Sequence, residues 1–87
     1  MRHATPADLD RLEPLLSGLR RMPELRERTR GKFSRGANAF LHFHEDAGDL
    51  YVDVKLGERF ERMRVTTDRE RSAFLARVRR AVQSWSS

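Results

Sequence analysis

From Phe40 to Lys55 the chain alternates apolar and polar residues in two runs, Phe40-Leu41-His42-Phe43-His44-Glu45 and Leu50-Tyr51-Val52-Asp53-Val54-Lys55, parted by Asp46-Ala47-Gly48-Asp49. Strand side chains alternate between faces with a period of two, so the pattern predicts a β-hairpin. Leu41, Phe43, Leu50, Val52 and Val54 then share one face, and Phe40, His42, His44, Tyr51, Asp53 and Lys55 the other. With Ala47-Gly48 as a two-residue loop, His44 falls opposite Tyr51, Phe43 opposite Val52 and His42 opposite Asp53. A Gly57-Glu58 loop continues the pairing to Lys55 with Phe60, Asp53 with Arg62 and Tyr51 with Arg64, leaving Met63 and Val65 on the apolar face. A slip of one residue would carry Val52 and Val54 into water, so hydrophobicity itself specifies this register.

Upstream, Lys32-Phe33-Ser34-Arg35 reads as a short first strand. A Gly36-Ala37-Asn38 turn leads from it into the strand Ala39 to Glu45, with Phe33 opposite Leu41. Earlier still, Leu9, Leu12, Leu15, Leu16 and Leu19 keep the 3.6-residue period of a helix opened by Thr5 as cap, Pro6 at its first position and Asp8 near its positive end. Pro14 lacks the amide that the helix needs, which predicts a kink or two short pieces ending by Met22, before Pro23. The segment Pro23 to Arg28 reads as one more turn, and Gly31 as the change to extended chain. At the other end Thr67-Asp68-Arg69-Glu70 has capping-box spacing, and Phe74, Leu75, Val78, Ala81, Val82 and Trp85 form one helical stripe. Ser84, Ser86 and Ser87 read as a fraying end. The order α-β-β-β-β-α predicts one two-layer α+β domain over residues 1–87, a four-stranded antiparallel meander flanked by an N-terminal and a C-terminal helix. Arg59, Arg62 and Arg64 at one sheet edge, with Lys32 and Arg35 at the other, oppose edge-to-edge pairing.

A chain of 87 residues buries only about 60–65% of its unfolded surface, which calls for a single core. With no cysteine, disulfides, thiolate catalysis and Cys-ligated zinc are excluded. No apolar run approaches the length of a membrane span, and Met1 to Pro6 lacks a secretory apolar core, so the expected location is cytoplasmic. The formal charge of +5 rests on 16 Arg and 2 Lys against 13 carboxylates. That balance attracts anions, nucleic acid among them, although codon bias in a GC-rich genome also favours Arg over Lys.

The polar face of the sheet supplies the candidate binding residues: Phe40, His42, His44, Tyr51, Asp53, Lys55, Phe60, Arg62 and Arg64. They pair into cross-strand rows in which Asp53 sits between His42 and Arg62. Such a surface suits a protein partner or a second copy of the chain. Its rings and cations also suit single-stranded nucleic acid or another anion, the rings by stacking and Lys55, Arg62 and Arg64 by phosphate contact. His42 and His44, at i and i+2 on one strand, form a weaker metal pair with Asp53 as a third ligand, and no cofactor is expected. Catalysis is not expected either: no phosphate loop, nucleophile elbow or zincin helix occurs, and Ser34 is the only hydroxyl that the topology brings near His42 and Asp53. The pairing of His42 with Asp53 predicts an imidazole pKa above the ordinary value of about 6.5.

The segment Phe40-Leu41-His42-Phe43-His44-Glu45-Asp46, together with Phe60-Glu61-Arg62-Met63-Arg64-Val65-Thr66-Thr67, resembles small uncharacterised proteins of high-GC bacteria. More loosely, a helix followed by Met22-Pro23-Glu24-Leu25, a Gly31-Lys32-Phe33 entry, four strands and a terminal helix is similar in order to YjbR-like and frataxin-like α+β domains. This likeness implies a fold and no activity. Frataxin-type iron binding requires an acidic first helix, whereas Asp8, Asp10 and Glu13 are few and interleaved with Arg11.

Overall fold

A computed structural model, which describes residues 1–85, orders the elements as β1 (Arg2–His3), α1 (Pro6–Arg11), α2 (Glu13–Arg20), β2 (Arg26–Thr29), β3 (Lys32–Arg35), β4 (Asn38–Asp46), β5 (Asp49–Val54), β6 (Glu61–Arg64) and α3 (Asp68–Trp85). Ser84 belongs to α3, and Ser86 and Ser87 lie outside the described residues. The domain is α+β with an antiparallel sheet, but the sheet has six strands rather than four. Its order is β2-β3-β4-β5-β6, with β1 paired to β4.

Local chemistry accounts for the helices. Thr5 and Asp8 form a capping box, Asp8 Oδ2 accepting from the Thr5 amide at 2.9 Å and Thr5 Oγ1 from the Asp8 amide at 3.3 Å. Pro14 splits the leucine-rich segment at Leu12, which ends α1 and precedes α2. A second box opens α3, with Thr67 and Glu70 each accepting from the other's amide at 3.1 and 3.0 Å. Buried side chains from all three helices join Phe33, Leu41, Phe43, Leu50, Val52, Val54 and Val65 in one core. The alternate residues His42, His44, Tyr51 and Asp53 remain partly exposed. One face of the sheet therefore carries the helices and the other is open.

Three differences from the sequence reading follow from backbone geometry. The expected extra turn after Pro23 is instead β2, joined to β3 through Arg30-Gly31 with Gly31 at φ +81. A side chain at Gly31 would meet only the movable tip of Leu9, Cδ2 at 2.6 Å, so it is the backbone angle that calls for glycine. The outer edge is thus β2, not the strand of Lys32 and Arg35. The expected Lys55–Phe60 pair does not form, because the β5–β6 ladder ends at Val54–Glu61.

The third difference bears on the candidate surface. The β3–β4 turn is two residues, with Arg35 opposite Asn38, and a bulge then inserts Phe40 between the Ser34–Ala39 and Phe33–Leu41 pairs. Phe33 still faces Leu41, as expected. A bulge adds one residue to the alternation of its strand. Phe40 and Leu41 consequently both point into the core, and Phe40 is 2% exposed with its ring edge-on to Trp85 at 5.3 Å. Arg35 lies over the same indole, 3.7 Å from its centre. Phe40 therefore leaves the candidate binding face. Elsewhere the expected register holds, with His44–Tyr51, His42–Asp53, Asp53–Arg62 and Tyr51–Arg64 all paired. No helix among the described residues is long and apolar enough to cross a membrane.

Truncation separates the two phenylalanines. Phe40→Ala should cost about 3–5 kcal/mol in urea unfolding, whereas Phe60→Ala, at a side chain 46% exposed, should stay within about 0.5 kcal/mol. Equal costs would contradict the bulge.

Candidate functional site

Strand β4 pairs with three others. β3 takes one edge of it from Asn38 to Leu41, and β1 takes the same edge at His44 and Glu45. Between them lies an interval at His42 and Phe43. Here the open face gathers all three histidines of the chain: His42 and His44 by the strand's own period, and His3 by its register opposite His44. The His3 ring stacks on His44 at 5.0 Å, and His42 stands edge-on to His44 at 4.7 Å. Phe60, though outside the ladder, closes the far side with its ring 5.8 Å from His42.

Asp53 faces His42 in register, yet its carboxylate serves both rings of β4. Asp53 Oδ2 is 3.5 Å from His42 Nε2 and 2.9 Å from His44 Nε2, reaching the latter as a diagonal neighbour. Arg62 grips the same carboxylate with two hydrogen bonds, Nε to Oδ1 at 2.7 Å and Nη2 to Oδ2 at 2.9 Å. The guanidinium, acting first through these bonds, holds the Asp53 carboxyl below the usual carboxylate range. The short His44 contact is not a hydrogen bond. His44 Nε2 is shielded from solvent, and among the described residues no partner meets the angular requirement of its ring nitrogen.

Electrostatics at His42 run opposite to the expectation. Burial, which penalises the imidazolium, lowers its pKa, and the neighbouring His44 lowers it further. The pull of Asp53 opposes these and is the smaller effect, while His3 and Lys32 add to the lowering. The side chain is only 30% exposed, and Asp53 is already neutralised by Arg62. The simple pair picture omitted both facts.

Beside His42 a cleft of about 430 Å³ opens on the same face. Its apolar floor includes Phe33, Ala39 and Leu41, and its polar lining is His3, Arg28, Lys32, Ser34 and His42, without a carboxylate. Ser34 Oγ accepts from Arg28 Nε at 3.0 Å and lies 3.5 Å from the Arg26 carbonyl, while Arg28 Nη2 donates to the Gly36 carbonyl at 3.3 Å. These contacts fix the guanidinium and leave three of its five N–H donors for other partners. Lys32 has no ion pair among the described residues. No hydrogen bond links Ser34 to His42 among the described residues, so the nucleophile arrangement weighed from the sequence is not assembled.

The remaining candidates divide. His42, His44, Asp53, Phe60 and Arg62 come together. Tyr51 is partly buried between His44 and Arg64 in the register. Arg64 turns away to ion pairs with Asp49 at 2.9 Å and Glu70 at 2.8 Å. Lys55 lies just beyond the last β5–β6 pair, its amide donating to the Phe40 carbonyl at 2.9 Å. Sequence reasoning did not place His3, Arg28 or Lys32 in a site, and brought in Ser34 only as the hydroxyl near His42 and Asp53. Lys32 and Ser34 were legible as the polar face of a strand, but His3 and Arg28 lie on strands with no apolar alternation to reveal them. Compared with known proteins, the chain has no significant match to a family model, a curated protein or a solved structure.

In metal-free buffer the His42 ring protons should titrate with a midpoint below about 6.5. In Asp53→Asn the midpoint should fall further, because the one raising influence is gone. A folded pKa below the unfolded one means that the unfolded chain binds more protons between the two values. Stability should therefore be fully present above about 6.5 and be lost as pH falls toward the folded midpoint, and His42→Gln should flatten that slope in urea midpoints. A midpoint above the unfolded value would overturn the assignment.

Proposed function

We propose that the domain is a binding module for a small phosphate-bearing molecule, held in the cleft beside His42 on the open face of the sheet. The observation that carries this is the sign of the lining: two permanent cations, Arg28 and Lys32, and two imidazoles, His3 and His42, surround an apolar floor with no acidic group among them. Anions are drawn to such a concavity, and a guanidinium already anchored by Ser34 and Gly36 loses little freedom on engaging one. The volume lies within the usual range of small-molecule sites.

The same features weigh against an extended single strand of nucleic acid. Phe40 is in the core, and Arg62 and Arg64 are held by carboxylates, so the expected track of rings and phosphate contacts is broken. A protein partner or a second copy of the chain would have to cover Arg28 and Lys32, leaving buried cations without partners unless it brought acidic groups of its own.

Titration with a nucleoside monophosphate, followed by amide NMR, tests the proposal. Saturable shifts should centre on His3, Lys32, Ser34 and His42. Arg28→Ala and Lys32→Ala should each weaken binding by about tenfold or more, as expected for hydrogen bonds to a charged group, while Arg64→Ala should have less than about a twofold effect. Absence of saturable shifts at millimolar ligand would overturn the proposal. Shifts spread over Tyr51, Lys55 and Phe60 with an oligonucleotide alone would point to nucleic acid instead.

A further inference from the structure

Sharing His42 with the cleft, three side chains present a set of atoms that hydrogen bonding leaves incomplete. We propose that His42, His44 and Asp53 bind a borderline first-row divalent metal ion, with Zn²⁺ as the representative, through two imidazole nitrogens and one carboxylate oxygen. One ligand atom from each residue lies within 4.8 Å of the others. The two measured edges, 2.9 Å and 3.5 Å from Asp53 Oδ2 to His44 Nε2 and His42 Nε2, bracket the roughly 3.3 Å edge of a tetrahedron with zinc–ligand bonds of about 2.0–2.1 Å. Both imidazoles approach the same oxygen, and they come from one strand at i and i+2 with Asp53 on its paired neighbour.

His44 Nε2 provides the second observation. It is screened from solvent, lies close to an oxygen, and makes no hydrogen bond among the described residues. Coordination uses the in-plane lone pair of this nitrogen, and a cation, unlike the fixed Asp53 oxygen, can settle on the axis of that lone pair. The outer shell is also present. Arg62 orients Asp53 through two hydrogen bonds, the support that ligating carboxylates commonly receive, and Oδ2 retains acceptor capacity beyond the bond to Nη2. The positive charge of Arg62 opposes a cation, but its side chain is half-exposed and its charge is matched by Asp53. Nitrogen-rich ligation with a single carboxylate favours zinc, cobalt, nickel or copper over magnesium and calcium. His3, stacked on His44, stands nearby as a further imidazole, but its ring is not one of the three that converge.

The test uses metal-stripped protein titrated with Zn²⁺ by calorimetry and with Co²⁺ by visible absorption. One-to-one binding is expected, with visible cobalt bands of low coordination number and a raised melting temperature in the presence of zinc. His42→Ala and Asp53→Asn, checked for folding by circular dichroism, should each weaken zinc by about tenfold or more, a loss at least as large as that seen for outer-shell changes. His3→Ala and Lys32→Ala should leave the affinity within about threefold, and the Lys32 variant separates this site from the anion cleft, whose failure would leave zinc binding intact. Should Asp53→Asn fail to fold, His42→Gln replaces it as the second variant. No saturable binding at about 100 µM zinc would overturn the proposal. So would equal affinity in His42→Ala, or an affinity that His3→Ala alone abolishes.

Discussion

The placement of β4 is the constraint on which the rest of the molecule depends. It is the strand shared by β1, β3 and β5, and its alternation decides which side chains enter the core and which meet water. Leu41 and Phe43 lock it against the helices, and that lock leaves His42 and His44 nowhere to point but the open face. The bulge at Phe40 ends the regular alternation toward the β3 turn and sends one more aromatic ring inward. β1 and β3 then share a single edge without meeting, and the interval between them is where the cleft and the three histidines lie. The geometry of the candidate site thus follows from incomplete pairing along one strand.

Much of this was legible in the chain because hydrophobicity wrote it there. The β4–β5 and β5–β6 registers followed from apolar alternation and from loops whose residues suit tight turns, and Gly48 at φ +85 with Ala47 at φ 52 realises the first of those turns. The capping box of α3 was visible as spacing and Thr5 as the cap of α1, since a cap depends on residues only three apart, while the return bond from the Thr5 amide to Asp8 was not anticipated. β1 and β2 were not visible. Arg26-Glu27-Arg28-Thr29 alternates nothing apolar, because an edge strand of charged residues is held by backbone bonds and by pairs such as Arg20 with Glu27 at 2.6 Å. A two-residue strand is likewise too short to carry a period. The bulge escaped for a different reason: loop length and bulge compensate, so a three-residue turn and a two-residue turn with one inserted residue both bring Phe33 to Leu41. Only the fate of Phe40 distinguishes them.

Charge was read less well than shape, since composition counts charges without saying which are already spent. Arg20 links Glu13 and Glu27, Arg30 holds Asp10 and Glu13, Arg2 holds Glu45, and Arg62 and Arg64 are both committed. Of the three cations expected to meet a ligand, Arg62 and Arg64 are therefore engaged, whereas Arg28, which no pattern singled out, and Lys32, expected only as an edge charge, line the cleft without a carboxylate. His42 teaches the same lesson at the level of a single pKa. An acidic neighbour raises an imidazole only when it is the dominant influence, and here burial and a second imidazole outweigh a carboxylate already satisfied by arginine.

What remains is why three imidazoles should crowd one patch at all. A domain of this size has a stability of about 5–15 kcal/mol, and a buried polar atom left unsatisfied costs about 1–3 kcal/mol of it. The atom in question, His44 Nε2, lies on the open face of the sheet, where an apolar side chain on β4 could stand without disturbing the core. Nothing in the packing of the helices requires histidine at 42 or 44, and nothing in the ladder requires Asp53 opposite, since strand pairing is carried by the backbone. Local incompleteness that the fold does not demand is most simply accounted for by an interaction formed from outside the chain, and the convergence of two ring nitrogens on one carboxylate oxygen gives that interaction its chemistry.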